Sequence, residues 1–196
     1  MKPNDKKTGF QLARALSAVV DVVIFLLAAG SLIVIEFYVD NVKRGFFCGD
    51  RHISFQRQKD TIPIKTVIIF TLSPLIVMFV TEYIFLRELE DSEKALNKKL
   101  CLSWRIALRR FKDYGINLVL MLLVMDACKV SIGEHRPHFL DTCRPDNAVN
   151  CTNGEFIEAY ECTNKNASLY SLRDASRSFP SGHAAMSIYT SLFLIW

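Results

Sequence analysis

Two short runs in this chain carry residue types that handle phosphate. One is Lys129, six residues, then Arg136-Pro137; the other is Ser176-Arg-Ser-Phe-Pro180-Ser181-Gly182-His183. An arginine presents a planar fork matched to phosphate oxygens, and a lysine supplies a compact point charge. Together they can neutralise a phosphate monoester dianion. Pro137 disfavours helix at Arg136 and so sets the direction in which that arginine leaves the chain. In the second run Pro180 cannot continue a preceding helix, Ser181 is a favoured N-cap, and Gly182 lets the backbone approach a ligand closely. A helix running on from Ala184 presents free backbone N–H groups and its positive end to an anion. His183, in its first turn, titrates near neutral pH and can protonate a departing alkoxide. Each run alone has a plain structural reading: Lys129 as an interfacial anchor beside Asp126, and Pro-Ser-Gly-His as a capped helix start. Both runs at matching depth at the ends of apolar segments favour the phosphate reading.

Apolar segments must position these residues. Of 196 residues 51% are hydrophobic and 22% charged, yet mean hydropathy is positive. Those values reconcile only if charge and apolar residues are segregated along the chain. Apolar runs occupy Leu16–Val39 (with Asp21 and Glu36), Thr66–Leu86 (with Pro74 and Glu82) and Tyr114–Ile132 (with Asn117, Asp126 and Lys129). A fourth, Ala184–Trp196, is shorter than the roughly 20 residues a span needs. Runs this long in so short a chain exceed any core they could fill, which argues against buried helices of a soluble protein. The fold class is therefore all-α, a multi-pass transmembrane helical bundle. The chain reads as one membrane-embedded domain, residues 1–196, with spans at 16–39, 66–86, 114–132 and, incompletely, 184–196. The first run is too long for a signal-peptide core and reads as a signal anchor.

Basic residues set the orientation. Lys2, Lys6, Lys7 and Arg14 precede the first span, and Arg87, Lys94, Lys98, Lys99, Arg105, Arg109, Arg110 and Lys112 lie between the second and third. Both segments are expected on the cytoplasmic side, which puts residues 133–183 in an outer loop, extracellular or lumenal. Two glycosylation acceptors, Asn150-Cys-Thr and Asn166-Ala-Ser, fall in that loop. Cys48, Cys143, Cys151 and Cys162 all fall in outer segments, an even number suited to disulfides, with three pairings open. Cys101 and Cys128 read as free thiols. Between the second and third spans, Leu100, Trp104, Leu108 and Phe111 recur at helical spacing among basic residues. That stretch fits a basic helix on the anionic inner leaflet or a solvated charged linker. No internal repeat is evident, and nothing in the charge pattern calls for nucleic acid.

The paired runs resemble the first two signature motifs of the type 2 phosphatidic acid phosphatase superfamily. The flanks Arg136-Pro-His-Phe-Leu140 with Cys143, and Arg44-Gly-Phe-Phe-Cys48 with Asp50, are similar to its animal lipid phosphate phosphatase branch. The resemblance implies a six-helix membrane fold, of which about three and a half spans are present here, with its site on the outer side. It implies metal-independent hydrolysis, with no cofactor, of phosphatidate, lysophosphatidate, sphingosine 1-phosphate and ceramide 1-phosphate. Lys129 and Arg136 would bind phosphoryl oxygens, Ser181 and Gly182 would hydrogen-bond them, and His183 would protonate the leaving lipid hydroxyl. Partners are the bilayer and the lipid phosphate; a homo-oligomer is compatible, and plasma membrane and endomembrane are both open. The family's nucleophile is a histidine in a third motif, Ser-Arg, five residues, His, three residues, Asp, which takes the phosphoryl group covalently. No such run occurs in residues 1–196. The expectation is a truncated product or amino-terminal portion, inactive alone, of an active phosphatase. A short inactive isoform and a non-enzymatic membrane scaffold are the competing readings; intact motif residues argue against the scaffold.

Overall fold

A computed structural model describes residues 3–58, 62–88, 96–148 and 150–195. Lys2, Lys94 and Trp196, which enter the sequence reading above, lie outside them. Six helices account for most of the described chain: α1 (Pro3–Tyr38), α2 (Ile64–Glu88), α3 (Leu96–Ile132), α4 (Phe139–Cys143), α5 (Leu169–Asp174) and α6 (Gly182–Ile195). Two short strands, β1 (Phe46–Phe47) and β2 (Phe156–Ile157), pair antiparallel. Residue contacts divide the chain into two compact units.

The first unit comprises residues 1–31, 63–121 and 183–196, and is built of long apolar helices. Three helical stretches are long and apolar enough to cross a membrane: Gln11–Tyr38, Lys65–Phe85 and Cys101–Ile132. Their large side chains, among them Leu26, Ile69 and Ile76, are exposed. A water-soluble chain rarely exposes so continuous an apolar surface. The protein is an integral membrane protein.

The acidic residues that interrupt the apolar runs are paired. Asp21 of α1 bonds Lys112 of α3, and Glu82 of α2 lies 2.7 Å from Arg110 of α3. This corrects the reading of the basic stretch. It is not a linker: the stretch is helical and forms the first half of one continuous 37-residue helix. Ser103 and Ala107 are wholly buried, and Trp104 stands edge-on to Phe79 of α2, ring centroids 5.4 Å apart. Pro74 is accommodated inside α2 by a local exchange. A proline at that position cannot donate to the carbonyl four residues back, and the Ser73 hydroxyl donates to Phe70 O instead, at 2.7 Å. The short helix α6 packs through aromatic residues. Tyr114, almost fully buried, stacks on Tyr189 at 5.3 Å and meets Phe193 at 4.9 Å. Its hydroxyl bonds Thr190, and the Tyr189 hydroxyl donates to Tyr114 O.

The second unit comprises residues 32–62 and 122–182. Much of the outer loop expected over residues 133–183 folds here, together with residues 46–53, as a lobe around a core. Phe46, Ile53, Phe139, Cys143, Tyr160 and Ala175 are buried together, with Phe46 edge-on to Tyr160 at 5.4 Å. Of the three pairings left open, Cys48–Cys151 and Cys143–Cys162 are the ones formed. The first closes 103 residues of chain, the second 19. Cys101 and Cys128 are free, as expected. The turn out of α3 requires glycine: Gly133 has φ +62°, and a Cβ there would overlap the Val42 carbonyl oxygen. Its N–H donates to Lys129 O at 3.0 Å, closing the helix end.

Candidate active site

Both signature runs lie in the second unit up to Gly182, and they converge there. Lys129 occupies the last turn of α3, where a cation also complements the negative end of the helix. Its Nζ is 3.3 Å from Asp126 Oδ1, and both side chains are mostly buried. A Cβ built on Gly182 would stand 3.6 Å from the same Nζ. The ammonium of the first run therefore faces the backbone of the second at the one position without a side chain. Gly182 also opens α6, so Ser181 sits at the N-cap position, as its sequence context suggested. His183 falls in the first turn of the same helix and is exposed.

The two runs are also joined along their backbones. Arg136 N donates to Ala175 O at 2.8 Å and Ser178 N donates to Glu134 O at 3.0 Å. Between these bonds His135 acts as a clamp. Its Nε2 donates to Arg44 O at 2.7 Å, and its Nδ1 lies 3.1 Å from the Ser176 hydroxyl. The carbonyl acceptor fixes the tautomer: Nε2 carries the proton and Nδ1 accepts from serine. The ring stacks on Phe139 with centroids 3.8 Å apart. Burial pushes the His135 pKa below the usual histidine value, against the raising effect of its bond to the Arg44 carbonyl. A neutral imidazole matches both hydrogen bonds.

Arg136 is held but not saturated. Its Nη2 lies 2.6 Å from Asp174 Oδ1, the last residue of α5. Its Nε is buried and is the one buried side-chain nitrogen or oxygen among the described residues without a hydrogen-bond partner. A buried donor left unpaired costs free energy. Pro137, named with the site, contributes through its backbone: its carbonyl accepts from Phe55 N at 2.9 Å.

Arg173 and Arg177 act elsewhere. Both cap the carboxyl end of α1, Arg173 through Phe37 O and Asp40, and Arg177 through Ile35 O, Val39 O, Asn41 and the Glu36 carboxylate. Asn150 and Asn166 are both exposed. A cavity of about 380 Å³ in the second unit is lined by Val42, Phe139, Tyr160, Leu172, Arg173 and Ser176 among others; Lys129 and Arg136 do not line it.

Asp174 and His135 were missed by sequence reasoning. Asp174 stands alone with no spacing partner. His135 lay inside the first run, where residues between Lys129 and Arg136 count only as spacing.

Within the second unit, then, Lys129 of the first run meets Gly182 of the second, and the two runs are tied by the Arg136–Ala175 and Ser178–Glu134 backbone bonds. Residues 111–196 match the PAP2 superfamily. The chain is 30% identical over 189 residues to phospholipid phosphatase 1 of Rattus norvegicus and 30% over 192 residues to phospholipid phosphatase 1 of Mus musculus. Each alignment covers 94% of this chain and 64% of the relative. It is 29% identical over 177 residues to phospholipid phosphatase homolog 1.2 homolog of Caenorhabditis elegans, covering 85% and 50%. The chain thus spans between half and just under two thirds of the length of these curated relatives. No solved structure matches it.

Proposed function

We infer that the protein containing this chain is a lipid phosphate phosphatase of the bilayer, hydrolysing phosphatidate, lysophosphatidate, sphingosine 1-phosphate and related monoesters. The observation that carries this reading is the approach of Lys129 Nζ to Gly182, which brings a cation from one motif against a helix start from the other. A phosphoryl group seated there meets the Lys129 ammonium and the positive end of α6, with Arg136 as the second cation of the cradle. Such donors, fixed before the substrate arrives, stabilise charge developing on the phosphoryl oxygens. His183, in the first turn of α6, protonates the departing lipid hydroxyl. The family resemblance implies that the reaction proceeds without a metal ion. The attacking group in this reading is a histidine of the Ser-Arg-x5-His-x3-Asp type, which residues 1–196 do not contain. It forms a phosphohistidine that water then releases.

The basic residues from Arg87 to Lys112, with those before the first span, favour an outward-facing site with the amino terminus in the cytoplasm. The exposed Asn150 and Asn166 fit glycan attachment on that outer side, as do the two disulfides.

The test is phosphate release from phosphatidate in detergent micelles containing a chelator, with the chain extended to include a third motif and with residues 1–196 alone. Release by the extended protein, falling about 10²–10⁴-fold in His183→Ala, and none by residues 1–196, is expected. Robust turnover by residues 1–196 would overturn the assignment of the nucleophile.

A further inference from the structure

The geometry points to Asp174 as a positioning residue for the phosphate-binding arginine, a role that rests on the phosphate-handling reading above. Arg136 and Asp174 come from segments fixed to each other before their side chains meet. Arg136 N bonds Ala175 O, the next residue of the chain after Asp174, and His135 bonds Ser176. Asp174 itself closes α5, whose start is capped by Ser168 accepting from Ser171 N at 3.1 Å. The carboxylate is thus delivered by backbone, and the 2.6 Å contact to Nη2 does not depend on two long side chains finding each other in solvent.

The contact has a particular form. Asp174 Oδ1 engages Nη2, and the buried Nε stays without a partner. A carboxylate taking both donors of one edge would compete with phosphate for the fork. One that takes Nη2 alone removes rotational freedom from the guanidinium and leaves N–H groups for an incoming oxygen. An arginine fork is selective only when its plane is fixed, because bidentate geometry is what it adds over a point charge. Without Asp174 the Arg136 side chain keeps its charge and loses its direction. The alternative, an ion pair contributing only to stability, makes a different prediction for how the two residues combine.

A double-mutant cycle on phosphatidate binding separates them. Binding of dioleoyl phosphatidate in mixed detergent micelles is measured for the chain and for Asp174→Asn, Asp174→Glu, Arg136→Ala and the Asp174→Asn/Arg136→Ala pair. Thermal unfolding of each is followed alongside, and Asp174→Ser replaces any asparagine variant that does not fold. Asp174→Asn is expected to weaken binding about tenfold, with Asp174→Glu recovering to within about threefold, since a residue acting through another loses its effect when that other is gone. In the Arg136→Ala background Asp174→Asn should then change binding by less than about twofold. Losses that multiply in the pair, or an Asp174→Asn variant that binds like the parent while Arg136→Ala does not, would overturn the positioning role and leave the phosphate site standing. Binding indifferent to Arg136→Ala would overturn the phosphate reading and this inference together.

Discussion

Arg177 and Glu36, 141 positions apart, form a buried tie in the second unit: Nη1 lies 2.7 Å from the Glu36 carboxylate and the Arg177 side chain is 4% exposed. The same group donates to Ile35 O and Val39 O at 3.1 Å each and to Asn41 Oδ1 at 2.8 Å. The last carbonyls of a helix have no partner inside it, and here one arginine from the lead-in to Pro-Ser-Gly-His supplies them. Its place in the motif is therefore structural: it fixes where the segment before Ser181 runs.

Arg177→Ala strips those carbonyls and leaves a partly buried carboxylate unpaired, a change that costs roughly 3 kcal/mol or more. Arg177→Lys should recover little, because one ammonium cannot reach four acceptors spread around a planar fork. The check is the thermal unfolding midpoint of the detergent-solubilised protein; a lysine variant as stable as the parent would refute the capping role.

His135 should make the second unit sensitive to acid. Burial lowers its pKa, so the folded state favours the neutral ring and the unfolded chain the charged one. The stabilisation is fully present above the unfolded value of about 6.5 and is lost as pH falls through the lower folded value. A protonated Nδ1 also becomes a second donor facing Ser176 in place of an acceptor. Unfolding midpoints measured from pH 7.5 down to 5 should decline for the parent and decline less for His135→Asn, which cannot titrate. Identical slopes would remove His135 as the cause.

The disulfide pattern gives a third outcome. Cys48–Cys151 closes 103 residues, and a loop of about that length gains roughly 4 to 5 kcal/mol by the chain-entropy account, against about 3 for a short one. Cys48→Ser should thus destabilise the lobe more than Cys162→Ser, whose bridge spans 19 residues. Peptide mapping without reductant should recover the 48–151 and 143–162 pairs; a 48–143 or 48–162 link would contradict the fold of the lobe.

These relationships mark what the sequence could disclose. The three long helices were legible because apolar runs of span length have no soluble explanation. The two runs that meet at Lys129 and Gly182 were legible as runs because Lys, Arg-Pro and Ser-Gly-His keep fixed local spacing. The first half of α3 was not, since Arg110 and Lys112 look solvated until Glu82 and Asp21 of other helices are placed beside them. Cysteine pairing stayed open for a similar reason: four cysteines in one compartment obey no spacing rule. Asp174 was invisible because its meaning lies wholly in a contact with Arg136, 38 positions earlier.

Gly182→Ala separates site from scaffold most directly. Gly182 does not adopt a left-handed φ, and a Cβ there would meet Lys129 Nζ at 3.6 Å, an ordinary contact distance. Alanine at the first position of a helix is otherwise favourable by up to about 1 kcal/mol relative to glycine. The fold should therefore tolerate the change, with an unfolding midpoint equal to or above that of the parent. The methyl group, however, takes the space between the Lys129 ammonium and the N–H groups opening α6, where a phosphoryl oxygen would sit. Phosphatidate binding should weaken at least about tenfold, a loss of roughly 1.4 kcal/mol. An alanine variant both stable and fully competent to bind would show that this approach of lysine to helix start is packing alone. A stable variant that no longer binds would mark Gly182 as a position kept empty for the ligand.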